Sequence, residues 1–224
     1  WKFDETTGTR ADSSGNGYHL TVTENFPANP AAHYDDGLIG NALHSYEDNP
    51  SYDYSSWLEW AGSGTHEADT PWSFNFWWKG SNGGVSGNGG LEIYFPPADA
   101  VIDINSLTTT PKTAYIYLDA FWGANEAEME LSAEAYAYDE WNMYTITFDG
   151  TNVKFYISSV LRWTSGDLNL SAEDPLDWDS VIFTDGWYNG QGWLDEASMW
   201  YDVALSQEQI DALYNDGAGS EIEV

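Results

Sequence analysis

The residues best placed to do chemistry here are oxygen ligands and aromatic rings. Asp12-Ser-Ser-Gly-Asn-Gly17 sets the side chains of Asp12 and Asn16 and several carbonyls at turn spacing. Such hard oxygens suit calcium, which takes about six to eight of them. The same composition also makes a plain turn in which Asp12 accepts backbone N–H bonds, and both readings stand at this point. The chain has 13 Trp and 15 Tyr, and sugar rings stack on aromatic faces held in a groove. Asp185-Gly-Trp-Tyr-Asn-Gly-Gln191 joins Trp187 and Tyr188 to the amide of Asn189. Trp77, Tyr115 and Tyr117 fall out of phase with the apolar face of their segments and complete the candidate ligand-binding set. The competing explanation is that a two-sheet core buries large rings on its inner faces. Other chemistries lack their residues. His19, His33, His44 and His66 have no metal-like spacing, and Cys is absent. There is no G-x-S-x-G nucleophile elbow. The glycine-rich stretch Ser81–Gly90 lacks the Lys-Ser/Thr that would make it a phosphate cradle.

Charge narrows the partners. Six Lys+Arg against 37 Asp+Glu leave −31 at pH 7. Such a surface repels phosphates and has few cations with which to displace counterions, so nucleic acid is excluded and an anionic membrane surface disfavoured. No apolar run reaches the roughly 18 residues of a membrane span. The charge reads either as solubility by self-repulsion or as life in salt or with divalent ions. A chain of 224 residues can bury a core without disulfides, and residues 1–224 read as one domain. A first residue of Trp1 rather than Met is expected of a fragment or a processed product, any signal peptide already removed.

The elements that must position these groups repeat with period two. Trp72, Phe74, Phe76 and Trp78 share one face of Trp72–Lys79, and Tyr144, Ile146 and Phe148 share one face of Asn142–Phe148, with Thr145 and Thr147 looking outward. Asp149-Gly150 marks a turn into Val153–Ile157, while Lys112–Asp119, Ser180–Thr184 and Gly192–Trp200 add further strands. The run Glu126–Glu134 fits a strand or a helix. One helix is predicted over Gln207–Asn215, capped by Ser206 with Gln209 in the capping-box position and Gly217 past its end. The fold class is all-β: a single antiparallel β-sandwich of jelly-roll type with one short C-terminal helix.

Several segments in order resemble the laminin-G-like branch of the concanavalin A-like lectin/glucanase superfamily. They are Trp1–Glu5 with Ala11–Leu20, Gly37-Leu-Ile-Gly-Asn-Ala-Leu43, Ser73–Lys79, Glu140–Ile157, and Gly192-Trp-Leu-Asp-Glu running on to Tyr214. The resemblance spans nearly the whole chain, except that Leu91–Glu140 matches nothing in it and Ser158-Ser159 stands where a glycine is usual. It implies an opening strand at the N-terminus. It also implies that the Asp12 loop lies near the strand carrying Asp195, which would join Asp12 and Asn16 around a structural calcium ion. Glucanases of this superfamily carry E-x-D-x-x-E on one strand. Glu128 and Glu130 are in phase, but the Asp and the third Glu are missing, so no enzyme is expected. The function expected is a non-catalytic, calcium-stabilised extracellular module that binds a glycan or surface glycoprotein. The alternative is a self-assembling structural, decoration or adhesion protein of an extracellular filament, surface layer or virion.

Overall fold

The computed structural model describes residues 1–5, 9–22, 34–45, 58–66, 70–80, 89–95, 100–106, 113–116, 127–130, 139–165, 178–184 and 192–220. In chain order the strands are β1 (Thr21–Val22), β2 (Tyr34–Asp36), β3 (Asn41–Ser45), β4 (Leu58–His66), β5 (Trp72–Gly80), β6 (Gly89–Phe95) and β7 (Ala100–Ser106). They continue as β8 (Thr113–Ile116), β9 (Ala127–Glu130), β10 (Asn142–Phe148), β11 (Val153–Ile157), β12 (Val160–Thr164), β13 (Trp178–Thr184) and β14 (Gly192–Tyr201), followed by helix α1 (Gln207–Tyr214). One sheet has the order β12-β11-β10-β5-β14-β3-β2 and the other β1-β4-β13-β6-β7, with β8 and β9 a separate hairpin. Each pairing within the two sheets is antiparallel. The all-β sandwich read from the period-two pattern is the fold observed. The acidic run resolves as a strand over Ala127–Glu130, paired with Thr113–Ile116.

The apolar phase of each strand explains the two layers. Trp72, Phe74, Phe76 and Trp78 of β5, Tyr144, Ile146 and Phe148 of β10, and Val153, Phe155 and Ile157 of β11 form one wall of the core. Leu58, Trp60, Leu91, Ile93, Val181 and Phe183 of the second sheet form the other. Burying each such side chain stabilises the fold by about 1.5–3 kcal/mol.

The opposite face of the seven-stranded sheet departs from expectation. Thr145 and Thr147 do point away from this core, yet both are buried, and Thr145 Oγ1 donates to Asn75 Oδ1 at 2.7 Å. The covering layer is the chain after β14. Ser73 Oγ donates to the Val203 carbonyl and accepts from Leu205 N–H, which pins that segment across the sheet. Helix α1 then buries Ile210 against Trp77, Met143, Tyr156 and Leu205. Its capping box forms as predicted, with Ser206 Oγ accepting from Gln209 N–H and Gln209 Oε1 accepting from Ser206 N–H. The helix ends one residue before the predicted boundary. Asn215 itself takes the left-handed C-cap conformation at φ 47°, which Asn tolerates better than most residues.

The N-terminus is a second departure. Residues 1–5 form no strand. They are held instead by side chains and by single backbone bonds: Trp1 N donates to the Ala197 carbonyl at 2.8 Å, Phe3 is fully buried beside Phe183, and Asp4 Oδ1 accepts from Asn41 N–H.

A tight approach fixes the start of β14. A Cβ on Gly192 would lie 2.2 Å from Cζ2 of Trp78, a ring buried in the core. Gly192→Ala is therefore expected to destabilise the protein by about 1–3 kcal/mol through overpacking. Thermal melting would show a drop of several degrees; an unchanged midpoint would refute the contact.

Candidate functional site

The site is a cleft at the far end of β14. That strand pairs with β5 along one edge, but β3 accompanies it only over Gly192–Leu194. Between Asp195 and Ser198 the register shifts, with Glu196 at φ 47°. The bulge reverses the phase: Leu194 faces the core before it, whereas Ala197, Met199 and Tyr201 do so after it. Beyond the bulge one edge of β14 lacks a strand partner among the described residues. The Asp12–Tyr18 loop lies opposite that edge, and a cleft of about 360 Å³ opens between them.

The loop is shaped by Asp12. Its Oδ1 accepts from Ser14 N–H at 2.8 Å and its Oδ2 from Tyr18 N–H at 3.0 Å, while its own N–H donates to His19 Nδ1. Burial pushes the Asp12 carboxyl up, but hydrogen bonds from the Ser14 hydroxyl and the Tyr18, Ser14 and Gly17 backbones together hold it below the usual range. It is ionised at neutral pH. The cleft walls are aromatic. Tyr18 is 38% exposed and packs on Trp60 at 4.8 Å and Tyr201 at 6.4 Å. Trp1 and Trp200 complete the lining, and the Trp1 indole N–H donates to the Tyr18 carbonyl. Burial raises the Tyr201 hydroxyl further above its ordinary range, so it stays a neutral donor. Ser13, Asn16 and Ser198 supply polar groups along the same walls.

Asp195 has a different role from the one expected. Its Oδ2 accepts from Leu38 and Ile39 N–H at 2.9 and 3.0 Å, and its Oδ1 from Glu196 N–H at 2.9 Å. It holds the Gly37–Gly40 turn, where a Cβ on Gly37 would come 2.7 Å from Asp195 Oδ2. The two segments of the resemblance, Gly37–Leu43 and Gly192–Glu196, thus meet through this carboxylate. Asp12 and Asn16 line the cleft; Asp195 does not. Among the described residues no three His, Cys, Asp or Glu side chains gather to hold a metal ion. The structure does not bring Asp195 to the cleft that Asp12 and Asn16 line: its oxygens accept from the Leu38, Ile39 and Glu196 N–H groups, while those of Asp12 accept from the Ser14 and Tyr18 N–H groups as in a turn.

The aromatic candidates divide. Trp77 is buried beneath α1, stacked on Tyr214 at 5.8 Å, and offers no surface to a ligand. Out-of-phase position marked the outer face correctly, but the sequence pattern does not show that a helix covers it. Tyr115 is placed only by its backbone, opposite Glu128 in the β8–β9 hairpin. Tyr117, Trp187, Tyr188 and Asn189 lie outside the described residues. The rings that do gather, Tyr18, Trp60 and Tyr201, escaped the sequence reading, whereas Trp200 borders the cleft from the opposite face of β14, where it packs on the cluster beneath α1. The signal for Tyr201 was the run Met199-Trp-Tyr201, whose phase the bulge resets.

No family model and no curated protein matches the chain. Solved structures do match. The botulinum neurotoxin serotype G binding domain aligns over 95% of this chain and 51% of its own at 13% identity and TM-score 0.64. The serotype D ligand binding domain, in complex with N-acetylneuraminic acid, aligns over 96% and 52% at 14% identity and TM-score 0.60. The neurotoxin DC binding domain, in complex with rat synaptotagmin II, aligns over 96% and 52% at 16% identity and TM-score 0.60. The likeness is one of fold. These neighbours are binding domains rather than catalytic ones, and the chain spans about half the length of each.

Proposed function

We propose that this protein is a non-catalytic binding module of laminin-G-like type that recognises a glycan or glycoprotein at a cell surface. One observation carries the reading: the edge of β14 and the Asp12–Tyr18 loop border a cleft lined by aromatic residues together with hydroxyl- and amide-bearing ones. Rings stack on the C–H faces of a sugar, and hydroxyls and amides exchange hydrogen bonds with its hydroxyls. The shared fold of domains that bind sialic acid and synaptotagmin supports ligand binding in general terms. The junction of Gly37–Leu43 with Asp195 and Glu196 supports the laminin-G-like assignment. An extracellular setting follows from such a ligand and forms part of the proposal.

The test is a glycan array probed with the protein and with Tyr18→Ala and Asn16→Ala, two exposed residues of the cleft wall. Each substitution is expected to weaken binding about tenfold, the equivalent of about 1.4 kcal/mol. Thermal melting checks that the variants are folded. Silence of the parent across a broad panel, or binding unaffected in folded variants, would remove the cleft as the site.

A further inference from the structure

We infer that the cleft selects uncharged glycans and discriminates against sialylated ones. This rests on the binding reading above and adds the class of ligand. Recognition of a carboxylate needs a cation with geometry to match, Arg above all. Among the described residues no Lys, Arg or His side chain lines the cleft; its charged wall groups are ionised Asp12 and the Trp1 ammonium, which is largely buried and committed to the Ala197 carbonyl.

The chain has six Lys+Arg in all, and the described ones are placed elsewhere. Arg10 is buried and donates to the Glu5 carbonyl. Lys79 lies over the rings of Trp193 and Trp141 at 4.1 and 5.2 Å. Lys154 pairs with Asp149 at 3.4 Å. Arg162 sits on β12, at the opposite edge of the sheet from β2 and four strands from β14. Lys2, beside Trp1, acts on the buried Glu196.

An anionic sugar would thus approach Asp12 within a chain of net charge −31, with no side-chain cation on the cleft walls to offset the repulsion. A neutral pyranose meets no such barrier. It can stack on Tyr18, which is 38% exposed, and bond to Ser13, Asn16 and Ser198. The serotype D domain that holds N-acetylneuraminic acid is 14% identical, so a shared sandwich does not oblige a shared ligand.

The experiment uses matched immobilised glycans that differ only in a terminal N-acetylneuraminic acid, at low ionic strength and at about 0.5 M salt, where the Debye length has fallen to a few Å. The neutral member is expected to bind at least tenfold more tightly at low salt, with the gap narrowing as salt rises. Ser13→Arg, which adds a cation on the exposed loop, should narrow it at low salt. Equal or tighter binding of the sialylated member, lost in Tyr18→Ala, would overturn the inference and leave the binding reading intact. A gap indifferent to both salt and Ser13→Arg would overturn it too. Silence toward both members removes the binding reading and the inference with it.

Discussion

Asp195→Ala is expected to lower stability by about 3–5 kcal/mol, the largest effect of any single polar substitution argued from this fold. The carboxylate is fully buried and accepts three backbone N–H groups, from Leu38, Ile39 and Glu196. Truncation would leave all three without that acceptor, and a buried orphaned donor costs about 1–3 kcal/mol. Relaxation of the half-buried turn brings the sum below three full penalties. The loss should be the same in calcium and in excess chelator, because it comes from backbone groups of the Gly37–Gly40 turn. A ligand role would behave differently: the parent would melt several degrees higher with calcium than with chelator, and the variant would not. Melting curves of both proteins under both conditions decide the matter. A deficit that disappears in chelator would return Asp195 to a cation site.

Stability should also fall as pH rises from about 5 to 8. Asp195 and its neighbour Glu196 are each pushed up to about 7, both by burial first, Glu196 further by the charge of Asp195, while hydrogen bonds from Ile39, Leu38 and Glu196 only partly oppose the shift in Asp195. Both carboxyls therefore bind protons more tightly folded than unfolded. Their protonated forms favour the native state in mildly acid solution, and that stability drains as pH climbs from the unfolded values near 4 through about 7. A shift of about three units corresponds to about 4 kcal/mol for one group. Because each ionisation opposes the other, about 3–4 kcal/mol is expected for the pair rather than twice that. Asp12, Asp35 and Asp149 are shifted down, so they act in the opposite sense and only at lower pH, which puts maximum stability near pH 5. Repulsion among the surface carboxylates adds to the decline but is screened by salt. Melting at about 0.5 M salt isolates the buried share. Glu196→Gln, which removes a charge from a side chain whose Oε1 is buried without a partner, should raise the midpoint at pH 8 and change it little at pH 5. A midpoint that is flat or rising between pH 5 and 8 in salt would refute the account.

The architecture was legible because the strands alternate cleanly. Trp72, Phe74, Phe76 and Trp78, with Tyr144, Ile146 and Phe148, could face only one apolar layer, so two sheets follow from period two. Ser206 and Gln209 likewise announced the helix start through local hydrogen bonds alone. Such features depend on contacts within a few residues, and the chain order carries them directly.

The site did not follow in that way. Three decisions belong to the tertiary structure: that α1 covers Trp77, that Asp195 turns to the Gly37–Gly40 amides instead of to Asp12, and that the bulge at Glu196 re-phases Tyr201 beside Tyr18. Each joins residues more than a hundred positions apart, or depends on one backbone angle that no side-chain pattern encodes. Residue types thus determined the layers and the candidate chemistry. Which groups share a cleft was decided by long-range packing, because burial and hydrogen-bond satisfaction are settled only when distant segments meet.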